Sequence, residues 1–199
     1  MKRMTRDESR LQTRERLLAS AREVFARAGY GGASVDDIAE TAGYSKGAFY
    51  SNFATKEAIF LELLETHMAG ELAGAEALTG SATTWQAAVD AIAERYATDA
   101  QDRDWCLLSV EFALHAARAP AFAAHFARLF ERQYAGIAKI ARKLAQMAGT
   151  RLADPHKVAV QFIALRQGLA LDQASASPQL SAKDCIATYR MFMRAALGV

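Results

Sequence analysis

The sequence predicts an all-α protein, on three observations. Alanine and leucine dominate, and proline occurs only three times in 199 residues. No stretch alternates Val, Ile or Thr with polar residues at the two-residue period of a strand. Capped apolar segments instead recur at helical spacing, and they add up to nine helices. Three are short to medium in length, and six then form a separate bundle. Two domains follow: residues 1–55, a small three-helix unit, and residues 56–199, a helical bundle. Hydrophobic residues make up 52% of the chain, enough to bury a core, which argues against global disorder.

From Arg10 to Ala28 the residues Leu11, Leu17, Leu18, Ala21, Val24, Phe25 and Ala28 fall near helical spacing. Gly29 and the Gly31-Gly32 pair stop this helix. Ser34 opens a second, with Asp37 three residues on as its capping-box partner, and Gly43 ends it. Ser45 opens a third short helix, KGAFYSNF. Thr55 caps a fourth, reaching about Leu78 and carrying Ile59, Phe60, Leu63, Leu64, Met68 and Leu72. The break GSATT, Gly80 to Thr84, precedes a helix with Trp85, Val89, Ile92 and Tyr96. Thr98 to Asp104 reads as a polar loop, followed by a helix from Trp105 to Ala117. Pro120 suits the first turn of the next, where its missing N–H costs nothing. That helix carries Phe122, Phe126, Phe130, Ile137 and Leu144 and extends to Met147 or beyond. Asp154-Pro155 starts the eighth. Ser175 to Leu180 is a loop, and Ser181 with Asp184 caps the ninth, to about Leu197.

The net charge of +2 is unevenly distributed. Residues 1–56 hold ten Lys/Arg against seven Asp/Glu, while residues 57–199 hold fourteen against fifteen. The asymmetry is mild and points to a small basic module on a near-neutral body. Cys106 and Cys185 are far apart, with neither disulfide nor zinc spacing, so no metal and no cofactor is expected. No apolar run reaches the roughly 18 residues that span a bilayer. MKRMTRDESR has no apolar stretch behind its charges, so a signal peptide is not expected and a reducing cytoplasm is.

Two short helices joined by a tight glycine turn read as a helix-turn-helix. The second helix enters the major groove of DNA, about 12 Å wide. It needs small residues where the backbone approaches the bases, and Gly47, Ala48 and Ser51 supply them. Phe49 and Phe53, at i and i+4, form the inner face. Ser45, Lys46, Tyr50, Asn52 and Lys56 are placed to grip phosphates. Spacing alone also allows two ordinary bundle helices, with Tyr50 a partly exposed aromatic.

Longer motifs decide between these. F-A-x-x-G-Y at Phe25 to Tyr30, S-V-D-D-I-A-x-x-A-G at Ser34 to Gly43, and S-K-G-A-F-Y-x-x-F-x-x-K-E at Ser45 to Glu57 resemble the DNA-binding domain of the TetR family of bacterial repressors. The resemblance covers roughly Thr13 to Leu63. It implies phosphate contacts from Tyr50 and Lys56, a backbone approach by Ser34 and Val35, and base reading from Lys46, Gly47, Ala48 and Ser51. Ala48 and Ser51 are small, so direct readout is thin. DNA shape, or an arm with Lys2, Arg3 and Arg6, would supply the rest.

The resemblance also implies a homodimer on a palindromic operator, with half-sites one helical turn apart or multiples of it. Its interface would be the last two helices, through Val158, Phe162, Leu165 and Leu169, then Ile186, Tyr189, Met193 and Leu197. It implies, further, a small-molecule effector in the bundle that shifts the population away from DNA binding, with the fourth helix as lever. WCLLSVEFALHAARAPAF, Trp105 to Phe122, is similar to the C-terminal domain of a broad subgroup that includes a choline-responsive repressor, without identifying a ligand. Polar residues among apolar neighbours are the candidate effector contacts: His67, Glu111, His115 and Arg166. Glu111 and His115 are spaced i, i+4, as are His67 and Glu71, a spacing that solvated helix pairs share. Trp85, Leu107, Phe112, Phe126, Phe130 and Phe162 are core residues, some of which would also line the pocket. Cys106 at a helix start allows a thiol-based redox sensor as a rival. A regulator or activator without a small-molecule ligand is another. No nucleophile-elbow, phosphate-loop or metal-ligand motif speaks for an enzyme.

Overall fold

A computed structural model describes residues 5–98 and 100–199. Among them all regular structure is helical: α1 (Arg6–Gly32), α2 (Val35–Thr41), α3 (Lys46–Tyr50), α4 (Lys56–Ser81), α5 (Trp85–Thr98), α6 (Ala100–Arg118), α7 (Pro120–Met147), α8 (Pro155–Ala174) and α9 (Ala182–Leu197). Lys2, Arg3 and the side chain of Arg6 lie outside the described residues, and so does Asp99.

Local chemistry explains most boundaries. Thr5, Ser34 and Ser181 each close a capping box with the acid three residues on. Thr55 caps α4 and Asp154 caps α8, and Pro120 and Pro155 sit in first turns. Gly43, at φ +74°, takes the left-handed position after α2, and the Tyr44 amide returns to the Ala39 carbonyl at 2.9 Å. That closure sets the tight turn into α3.

The structure corrects three sequence expectations. Ala100 to Asp104 form the first turns of α6, not a loop. The segment is polar but has neither glycine nor proline, and Gln, Asp and Arg do not break a helix. α3 ends at Tyr50, shorter than KGAFYSNF. α1 runs on to Gly32, and its break at Gly29 (φ 69°, ψ 174°) is a kink within the helical span.

α1, α2 and α3 pack as a small head on the start of α4. The bundle pairs α5 with α9, α7 with α8 and with α4, and α6 with α8. One apolar core runs through both parts. α4 supplies Ile59 and Phe60 at its head end and Leu64, Met68 and Ala75 further along. At the junction Phe25, Tyr30, Phe60 and Phe112 form one aromatic block, with Phe60 stacked on Phe112 at 4.7 Å and edge-on to Phe25 at 5.2 Å. Each such ring contributes about 1.5–3 kcal/mol by burial, so head and bundle are not loosely tethered. Among the described residues no helix is long and apolar enough to cross a membrane.

Candidate nucleic-acid interface and bundle cavities

Ser45 caps α3 by accepting from the Ala48 amide at 3.2 Å. Phe49 and Phe53 are buried, which fixes the rotation of the helix. Ser45, Lys46, Gly47, Tyr50 and Ser51 are thereby turned outward, with Ala48 half-buried at the edge. Tyr50 is 51% exposed, an unusual position for an aromatic. Lys46 reaches Asp36 at 2.9 Å, and the Ser51 hydroxyl donates to the Gly47 carbonyl at 2.9 Å. Ser34 and Val35, half-buried, sit at the start of α2 beside this face.

Asn52 and Lys56 are placed differently from the other candidates. Asn52 is half-buried, and its amide donates to the Ala48 carbonyl at 2.9 Å. Lys56 Nζ donates to the carbonyls of Tyr30 and Ala33 at 2.9 and 2.8 Å, with the Tyr30 ring 4.5 Å away. Burial holds the Lys56 ammonium below the usual lysine range. Burial, together with the neighbouring Glu57 carboxylate, pushes the Tyr30 hydroxyl up. Lys56 therefore ties the end of α1 to α4.

A residue the motif reading passed over is Arg14. Its guanidinium donates to the Asn52 carbonyl at 2.8 Å, lies 4.1 Å from the Phe53 ring centroid and pairs with Glu62. Arg14 so clamps the end of the α3 segment to α1 and α4. Its signal in the sequence is its spacing of i, i+3 and i, i+4 from Leu17 and Leu18, at the rim of the apolar face.

In the bundle, three cavities lie around α8. An apolar one of about 50 Å³ is lined by Tyr96, Ile137, Leu144, Phe162 and Phe192 among others. Two polar ones, of about 100 Å³ and about 30 Å³, share Cys106 and Arg166. The larger adds Tyr96, Arg103, Gln173, Cys185 and Tyr189. The smaller adds His67, Trp105, Ser109, Phe130 and Gln133. Both hold enough space for water or a small polar group. Gln133 is 6% exposed, and its Oε1 has no hydrogen-bond partner among the described residues.

Arg166 is 5% exposed and bridges to Glu71 at 3.4 Å, to Cys106 Sγ at 3.8 Å and over the Tyr96 ring at 4.1 Å. Arg95 meets the same carboxylate at 2.8 Å. Gly74 admits that guanidinium: a Cβ there would stand 1.7 Å from Arg95 Nη1. Glu71 and Gln133 interrupt buried stripes at helical spacing, Leu64–Met68–Ala75 and Phe130–Ile137, so a signal for both existed.

Of the expected effector contacts, His67, Phe130, Phe162 and Arg166 line these cavities. His67 stacks on Trp105 at 5.0 Å. Trp85, Leu107 and Phe126 line none of the three, and Arg194 lies over Trp85 at 5.8 Å. Glu111, Phe112 and His115 stand at the junction with the head: Glu111 accepts from the Tyr30 amide at 2.7 Å, and His115 is 3.5 Å from Glu57.

On α8 and α9, Phe162, Leu169, Tyr189, Met193 and Leu197 are buried inside the protomer, and Val158, Leu165 and Ile186 are half-buried. The apolar face left in solvent is a different one: Val160, Ala164, Gly168 and Leu171 on α8, with Ala187, Met191 and Ala195 on α9. The helices are wet on the side opposite the larger residues, because those residues fill the bundle. Burial pushes the Cys185 thiol up, the setting of an inert cysteine. Among the described residues no group of three or more His, Cys, Asp and Glu is arranged to hold a metal.

Known proteins agree with this geometry. Residues 17–63 match the family model of bacterial regulatory proteins of the tetR family, and residues 60–198 match that of the C-terminal part of BetI-type transcriptional repressors. The HTH-type transcriptional activator FasR of Mycolicibacterium smegmatis is 40% identical over 72 residues, 36% of this chain and 31% of that protein. The HTH-type transcriptional repressor AcnR of Corynebacterium jeikeium is 40% identical over 70 residues, 34% of this chain and 37% of that one. The chain thus matches only about a third of the length of these relatives. A transcriptional regulator from Saccharomonospora viridis, solved in complex with choline, shares the fold at a TM-score of 0.73 and 22% identity, covering 91% of this chain and 95% of that one. A head that turns a short polar helix outward, and a bundle matched nearly to its end, lead to one assignment: the chain belongs to the TetR family of transcriptional regulators.

Proposed function

We propose that this regulator is a dimeric, ligand-responsive repressor that binds a palindromic operator through α3 and is released by a small molecule in the bundle. The observation that carries the reading is the outward face of α3, held rigid by Phe49, Phe53 and Arg14. Tyr50 contacts phosphate, Ser45 and Ser34 flank it, and Lys46, Gly47, Ala48 and Ser51 face the bases. Lys56 acts from beneath by holding the α1–α2 joint. Residues 1–55 form the reading head and residues 56–199 the effector and dimer body.

Two heads are needed because one contacts few base pairs. The exposed stripe Val160, Ala164, Gly168, Leu171, Ala187, Met191 and Ala195 forms the interface, since its small residues let two helix pairs approach closely. Gly168→Glu is then expected to give monomers in sedimentation. The polar cavities around Cys106 and Arg166 are the effector site, with Gln133 and Ser109 as its polar contacts. The action is repression, in line with the family description of the bundle. The FasR match favours activation as the second reading, and the position of the operator relative to the promoter separates the two. No catalytic role is assigned, and a bacterial cytoplasm is the compartment where operator and regulator meet.

Selection of bound sequences from a random duplex library at two salt concentrations tests this. A recovered palindrome whose affinity falls steeply with salt is the expected outcome. Enrichment of no sequence, or affinity indifferent to salt, overturns it.

A further inference from the structure

The kink in α1 is held from the bundle. At Gly29 the backbone takes φ 69°, a conformation that glycine adopts without steric cost. The turn after it leaves backbone amides with no partner inside the helix. One of these, the Tyr30 amide, donates to Glu111 Oε2 at 2.7 Å, across 81 positions of sequence. A Cβ on Gly29 would lie 2.8 Å from the same oxygen, so a side chain there would push the carboxylate off the joint.

The remaining ties converge on the same few residues. The Tyr30 ring packs on Phe112 and His115 of α6, at 5.0 and 5.1 Å between centroids. The Tyr30 and Ala33 carbonyls hold Lys56. Ala33 is followed by Ser34, the cap of α2, and α2 leads through the Gly43 turn to α3. On the other side, α6 lines the polar cavities through Trp105, Cys106 and Ser109, within two turns of Glu111 on one continuous helix. A shift of α6 therefore moves the acceptor that fixes the α1–α2 joint.

We infer that Glu111 is a positioning residue for DNA binding: its carboxylate clamps the α1 kink at Tyr30 and sets where α2 and α3 stand on the bundle. The inference rests on the DNA-binding reading above and extends it to how the bundle's state reaches the head. A charge-assisted bond to a backbone amide is among the stronger hydrogen bonds, which suits it to a clamp between two units.

The test uses the full chain and two readouts. Glu111→Ala is expected to speed hydrogen exchange at Tyr30 and through α2 by about tenfold, while α8 and α9 keep their rates. Affinity for the selected operator is expected to fall about tenfold at an unchanged salt slope, because no phosphate contact is removed. Glu111→Gln keeps an oxygen acceptor and should stay within about threefold of wild type in both. Wild-type exchange in the Ala variant overturns the clamp whatever the DNA result. Faster exchange with unchanged operator affinity overturns its positioning role. Faster exchange throughout the chain, α8 and α9 included, reduces Glu111 to general stability and also overturns it. A wild-type protein that binds no DNA instead strikes the functional reading, and the exchange result still decides the clamp.

Discussion

Replacing Glu71 by leucine would leave Arg166 charged at the centre of the bundle. The arginine is 5% exposed, and its guanidinium meets the carboxylate at 3.4 Å. Arginine does not deprotonate to escape, so burial of its charge must be compensated. Removing one partner of a buried pair costs about 3–5 kcal/mol, because the other remains desolvated. Arg95 touches the same carboxylate, but its side chain is 29% exposed and can turn to water, so it adds little. For a chain of this size each kcal/mol lowers the melting temperature by about 2–4 °C, so Glu71→Leu should melt roughly 6–20 °C below wild type. Calorimetry at one fixed protein concentration measures this, since association would couple stability to concentration. The double change Glu71→Leu with Arg166→Met replaces the pair by apolar volume and should recover to within about 1 kcal/mol of wild type. A loss below about 1 kcal/mol in Glu71→Leu, or no recovery in the double variant, would refute the assignment of Glu71 as a main counter-charge of Arg166.

Three further outcomes are expected. Tyr50→Phe should weaken binding to all DNA sequences by about three- to tenfold and leave thermal unfolding unchanged, since the side chain is exposed; a change in sequence preference instead would remove it from the phosphate contacts. Gly43→Val forces a β-branched residue to φ +74° and should cost about 1–2 kcal/mol in urea unfolding together with operator affinity; an unshifted midpoint would show that the turn tolerates a side chain. Hydrogen bonds from Ser34 and Ser181 hold the Asp37 and Asp184 carboxyls below the usual range. The unfolded chain then takes up protons first as pH falls. The stabilisation is complete above about pH 5 and is lost as pH drops through the lowered native values. Ser34→Ala with Ser181→Ala should flatten the urea midpoint against pH between about 5 and 3, and an unchanged slope would remove the two caps as its source.

Much of this molecule was legible locally. Thr55, Ser34 with Asp37, Ser181 with Asp184, Pro120 and Asp154-Pro155 mark helix starts because capping is a matter of three or four consecutive residues. The outward face of α3 was legible for the same reason, since Phe49 and Phe53 at i, i+4 fix its rotation. The segment Ala100 to Asp104 is helical although its composition suggests a loop, because polarity does not fix chain direction.

Long-range pairings were decided only by the tertiary structure. Sequence spacing paired Glu111 with His115, yet Glu111 is spent on Tyr30 and His115 faces Glu57, because α6 lies against α1 and α4. Lys56 carries a motif that points to phosphate, but folding brings the Tyr30 and Ala33 carbonyls within reach of its ammonium. On α8 and α9 periodicity marks an apolar stripe without saying whether it meets the protomer or a partner. Packing sent Phe162, Tyr189 and Met193 inward and left Ala164, Gly168 and Met191 outside. By itself the sequence determined the helices, their caps and the helix that faces outward, because these depend on neighbours within a turn or two. The structure alone decided which charges neutralise each other and which faces stay free, because those depend on residues tens of positions apart meeting in a dry interior.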